Sequence, residues 1–89
     1  MPAVLAKLSN VSYEAVKQKL REDASFHATN GMYLQHLRKN IENPDEVRFL
    51  FRVNDLQHCR QLMEKLHADA KLQNPEITLP VLTFLTEGE

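Results

Sequence analysis

The sequence predicts an α+β domain of order β-α-β-β-α-β, with both helices on one face of a four-stranded antiparallel sheet. Three observations predict it. Val47–Val53 alternates side chains at the period of two that marks a strand. Leu56, Cys59, Leu62, Met63, Leu66 and Ala70 recur at three and four, the period of a helix buried on one side. Asn30-Gly31 and Asn43-Pro44 punctuate the chain as turn signals.

Each element follows in order. Ala3–Leu8 is a short apolar run ahead of Ser9-Asn10 and reads as a buried strand. Ser12 is a candidate N-cap, and Glu14 puts an acid in the first turn of the helix behind it. Tyr13, Val16 and Leu20 give that helix an apolar face, and it is expected to end near Asp23. Ala24–Gly31 reads as a loop closed by Asn-Gly. Met32–Ile41 alternates at first and then turns polar, as an edge strand does. Glu42–Glu46 is a turn, because Pro44 fixes φ and removes a backbone donor. Asn54 or Asp55 caps the striped helix, and Asn74-Pro75 lies beyond its end. Leu79–Thr86 is the last strand, with Pro80 tolerated at its start, and Glu87–Glu89 is a tail. Two amphipathic helices need one sheet face, and right-handed crossovers then make the ferredoxin-like arrangement the natural solution.

The chain of 89 residues is expected to form one domain over 1–89, with a modest core. Its one cysteine, Cys59, cannot form an internal disulfide, which fits a reducing compartment. Lys and Arg number 11 against 12 Asp and Glu, for a net charge of −1, so no basic surplus points to nucleic acid. The start MPAVLAKLSN lacks the pattern of a signal peptide, and no apolar run is long enough to span a bilayer. A soluble cytoplasmic protein without membrane or nucleic-acid partners is the expectation.

On Val47–Val53, the residues Val47, Phe49, Phe51 and Val53 are expected to face the helices. Arg48, Leu50 and Arg52 then fall on the opposite face. The last strand adds either Leu82 and Phe84 or Val81, Thr83 and Leu85 to that face. In both registers it is partly apolar, and such a surface marks an interface. Two sheets packed face to face would cover it, so a homodimer is expected, with Arg48, Leu50 and Arg52 at its seam.

The segment from Gly31 to Ala70 resembles the dimeric α/β-barrel superfamily that includes the antibiotic-biosynthesis monooxygenases. The residues that carry the likeness are Gly31 leading into a strand, Asn43–Pro44–Asp45–Glu46–Val47, Phe49–Leu50–Phe51, and Asn54–Asp55 opening a striped helix. Small proteins of prodigiosin-type pigment pathways are also similar in size and layout. The resemblance implies a pocket in each subunit between sheet and helices. It implies membership among cofactor-free oxygenases, cyclases, isomerases, haem-degrading enzymes or proteins without activity. Several monooxygenase members have Trp at the end of the third strand, whereas this chain has Val53 there and no Trp.

Among titratable groups the histidines stand out, since imidazole titrates near neutrality. His27 lies next to Phe26 in the expected loop, where it can line a pocket mouth as acid or base or stay solvated. His36 lies mid-strand. It enters the pocket in one register and joins Arg48 and Arg52 in the other. His58 reads as exposed, and His67, bordering the stripe through Met63 and Ala70, as a packing or rim residue. No histidine pair has metal-ligand spacing, and Cys59 has no CxxC partner and sits on the stripe as a small hydrophobe. No metal or tightly bound cofactor is expected. Arg38, Arg48 and Arg52 interrupt strands. They are read either as recognising a ligand carboxylate or as forming salt bridges with Glu42 or Glu46. Tyr13 and Tyr33 are candidate hydrogen-bond donors, and Phe49, Phe51 and Leu62 candidate apolar walls, for a flat, mostly apolar ligand.

Two functions remain open on this reading. One is a small enzyme or accessory protein of secondary-metabolite biosynthesis, possible pigments included, with His36 or His27 moving a proton. The other is a non-catalytic dimeric ligand-binding or assembly protein.

Overall fold

The computed structural model describes residues 2–86. Strand β1 (Ala3–Leu8) leads to helix α1 (Tyr13–Glu22) and a short helix α2 (Ala24–Thr29). Strands β2 (Met32–Lys39) and β3 (Val47–Val53) form a hairpin, followed by helix α3 (Leu56–Gln73) and strand β4 (Val81–Leu85). The sheet order is β2-β3-β1-β4, and the pairings are antiparallel throughout. This is the ferredoxin-like α+β fold.

The caps form where the sequence offers them. Ser12 Oγ accepts the Ala15 amide at 3.3 Å, and Asp55 Oδ1 accepts the His58 amide at 3.0 Å. Asn40 organises the hairpin turn. Its Oδ1 accepts the Glu42 amide at 2.9 Å, and its Nδ2 donates to Glu46 Oε2 at 2.7 Å.

Ala24–Thr29 departs from the loop expectation and is helical. Ala24, His27 and Ala28 stand at positions i, i+3 and i+4 of that turn and border a single cavity, so it has an inner face. Thr29 Oγ1 and Asn30 Nδ2 donate to the carbonyls of Ser25 and Phe26, closing its end. Gly31 then takes φ +70°, where a Cβ would lie 3.2 Å from Asn54 Cβ. Its left-handed backbone turns the chain into β2.

The core sits between sheet and helices. Val4, Ala6, Val16, Met32, Val47, Phe49, Phe51, Val53 and Cys59 are buried there. The four expected inward residues of β3 are all among them. Leu82 and Phe84 of β4 pair with Ala6 and Val4 and pack on this core, and the Arg60 guanidinium covers the Phe84 ring at 5.2 Å. The uncovered face therefore receives Val81, Thr83 and Leu85.

Strand β2 contains a bulge. Leu34 pairs with Phe51, but the next partner of β3, Leu50, is His36, so Gln35 is the extra residue. Met32 and Leu34 face the helices before it. After it the alternation is reset, placing Leu37 opposite Phe49, and His36 and Arg38 opposite Leu50 and Arg48. No helix among the described residues is long and apolar enough to cross a membrane.

Candidate functional site

Below the helices lies a cavity of about 360 Å³, lined from every layer of the fold. Phe49 and Phe51 supply its floor with Val4, Ala6 and Leu82, and Met63 and Leu66 of α3 its roof. The polar groups on its wall include His27, His67, Asp23 and Thr78. A second cavity of about 410 Å³ opens between α1, α2 and β2. Leu20, His27, Met32 and Phe51 line both, so the His27 imidazole stands on the boundary between them.

The position of His27 is set by aromatic packing. Its ring meets Phe51 edge-on at 4.8 Å between centroids and Phe26 at 5.9 Å, and Phe51 meets Phe49 at 5.8 Å. Burial disfavours imidazolium and pushes the His27 pKa below its ordinary 6.5, while the Asp23 carboxylate works the other way. Asp23 is itself paired with Lys19 at 3.5 Å. His67 is lowered by burial too. Both rings are thus neutral near pH 7, available as proton acceptors through one nitrogen and donors through the other. The Cys59 thiol is raised by burial, so it stays protonated and unreactive.

These shifts fix a pH dependence. A histidine whose pKa is lower in the folded state gives stability that is complete above its unfolded value of 6.5 and fades as the pH falls through its lowered one. Urea midpoints should therefore be level above neutrality and decline as the pH falls below 6.5, and less so in His27→Phe. A midpoint that stays level as the pH falls below 6.5 would show both rings to be solvated.

The remaining candidates are distributed over both faces. Tyr13 is half-buried, packs on the core and lies under Lys39 Nζ, 5.5 Å from its ring centroid. Leu62 also packs on the core. Tyr33 pairs with Arg52 on the uncovered face, where the guanidinium stands 5.2 Å from its ring, and it also borders the second cavity. His36 is exposed on that face, beside Leu50. Arg38 is there too, donating to the Leu37 carbonyl at 2.9 Å. Arg48 pairs with Glu46 at 3.4 Å, the ionic contact that the sequence suggested. His58 is exposed and within 3.0 Å of Asn30 Oδ1. His67 is the wall residue least visible in the sequence. Its place beside the α3 stripe was the available signal, but nothing in the sequence shows that a cavity opens there.

A ferredoxin-like α+β domain with an apolar cavity under its helices and a bare sheet face is the class that fold and site define. Solved structures give this fold company. One is a Deinococcus radiodurans protein provisionally assigned as an antibiotic biosynthesis monooxygenase, with a TM-score of 0.65 and 17% identity over 100% of this chain and 94% of that one. Another is an uncharacterized NIPSNAP domain protein from Burkholderia xenovorans, with a TM-score of 0.58 and 17% identity over 99% and 95%. No family model and no curated protein matches the chain. The resemblance to antibiotic-biosynthesis-monooxygenase-like proteins is thus met as a likeness of fold.

Proposed function

We propose that the protein is a small enzyme or accessory protein of secondary-metabolite biosynthesis that takes a flat, mostly apolar molecule into the cavity between sheet and helices. The observation that carries this is the neutral His27 imidazole held edge-on by Phe51 on the wall of an otherwise largely apolar cavity. A binding site of this kind has apolar walls and few convergent polar groups. The fold shared with a protein assigned to antibiotic biosynthesis supports the biosynthetic setting. His27 acts as the base or acid, removing a proton next to a ligand carbonyl, and Phe49 and Phe51 stack on the ligand. The working unit is a homodimer, packed through the bare sheet face, where Leu50, Arg48, Arg52 and His36 meet the partner.

The test is proton exchange. A neutral, flat aromatic ketone with an acidic C–H is added in D₂O, and loss of that proton signal is followed by NMR. His27→Phe keeps the aromatic contact with Phe51 and should leave binding nearly unchanged while slowing exchange by about 100-fold or more. Exchange unaffected by His27→Phe would remove His27 from the chemistry. Saturable binding with no exchange would leave a carrier in place of an enzyme.

A further inference from the structure

Helices α1 and α2 stand apart from strand β2, and the cavity of about 410 Å³ occupies that gap. Its size is that of a small-molecule site. It opens on the helix side of the sheet, away from the face that meets the partner subunit. Leu34 and Leu37 form its β2 wall, three residues apart. In a regular strand they would point to opposite faces, and the bulge at Gln35 brings both to the same one. Leu34 is 43% exposed there, an apolar side chain at an open mouth.

The opposite lip is cationic. Lys17 and Arg21 stand at i and i+4 of α1, one turn apart, and border this cavity with Leu20. Lys17 is half-buried and Arg21 exposed. Among the described residues no carboxylate lines the cavity, and neither cation has an ion-pair partner. The acids at the end of α1 are occupied elsewhere. Asp23 holds Lys19 at 3.5 Å, and Glu22 Oε1 accepts from Gln18 Nε2 at 3.3 Å. Inward, the space shares His27 and Phe51 with the cavity beneath α3, which has Asp23 on its wall. Positive charge therefore marks the α1–β2 mouth, and negative charge the far side.

We propose that the ligand is a carboxylate, with its apolar body against Phe51 and His27 and its charged end at the mouth between Lys17 and Arg21. The guanidinium fork and the ammonium supply charge-assisted hydrogen bonds to such a group, and the leucine wall takes the apolar part out of water. Charge also sets direction. The carbon that His27 reaches is then remote from the carboxylate. The carboxylate end presupposes the apolar ligand already proposed for this space, and adds its charge and orientation.

The test uses the full chain and two probes of one shape, 2-naphthoate and the neutral 2-acetylnaphthalene, at neutral pH, where the acid is ionised. Methyl signals of Leu20 and Leu34 report binding by NMR. Naphthoate should bind about tenfold or more tighter than the ketone. The double variant Lys17→Gln, Arg21→Gln should bring naphthoate down to the ketone's level. Glutamine is nearly as good a helix former as lysine or arginine, so that variant keeps its fold. His27→Phe should retain the preference for naphthoate, because the selecting charges lie on α1. Equal affinity for the two probes, or a preference that survives in the double variant, would overturn the carboxylate end and leave the cavity as a site for neutral ligands. Saturable binding of neither probe would remove the cavity as a ligand site, and the carboxylate end with it.

Discussion

Phe51→Ala should cost about 3–5 kcal/mol of stability, the range for truncating a buried phenylalanine. Phe51 is only 4% exposed, stands edge-on to both His27 and Phe49, and lines both interior cavities. Its loss joins two spaces that are now separated, and the neighbouring rings lose the surface that orients them. A domain of this size has about 5–15 kcal/mol in total, so the variant should unfold at much lower urea. A second readout separates packing from mere destabilisation. The His27 pKa should rise toward 6.5, because burial is the main cause of its depression. A loss under about 1.5 kcal/mol, with the His27 titration unmoved, would mean that Phe51 neither fills nor seals the site.

Leu50→Arg should abolish the proposed dimer. Leu50 sits between His36 and Leu5 in the middle row of the bare face, and Val81 and Leu85 lie exposed along the strand β4. Arg48 and Arg52 flank it along β3. A third arginine between them replaces an apolar contact by a like-charge cluster repeated across the two-fold axis. The few residues that dominate an interface cluster near its centre and carry about 2 kcal/mol or more, so with Leu50 among them dissociation should rise by about 30-fold or more. Sedimentation at micromolar concentration should give a dimer for the parent chain and a 10.3 kDa species for Leu50→Arg. A parent chain already sedimenting at 10.3 kDa would sink the dimer outright.

The fold was legible wherever one face of an element is buried and the other is not. β3 shows its period of two because Val47, Phe49, Phe51 and Val53 all meet the core. Ser12 and Asp55 are visible as caps because their side chains replace missing helix partners locally. The short helix α2 was not legible. Six residues span under two turns, too few for periodicity to outweigh the loop-forming Ser, Thr and Asn around them. The bulge at Gln35 was hidden for a related reason. Gln35 and His36 are both exposed on an edge strand, so no hydrophobic cue registers the extra residue, yet it determines the face that His36 occupies. The site was half visible. His27, Phe49 and Phe51 were picked out as candidates, but the space that brings them together with His67 exists only after α3 and the connection near Thr78 close over the sheet.

The bulge has a further effect on how this sheet meets other chains. β2 is one outer strand, and its ladder breaks step at Gln35. The other outer strand, β4, has only five residues and begins directly after Pro80, which has no amide proton to offer. A foreign strand seeking to extend the sheet sideways would find an irregular template on one border and a short one on the other. Lateral growth toward fibres is thereby discouraged at both borders, and the broad face is left as the favourable surface for self-association.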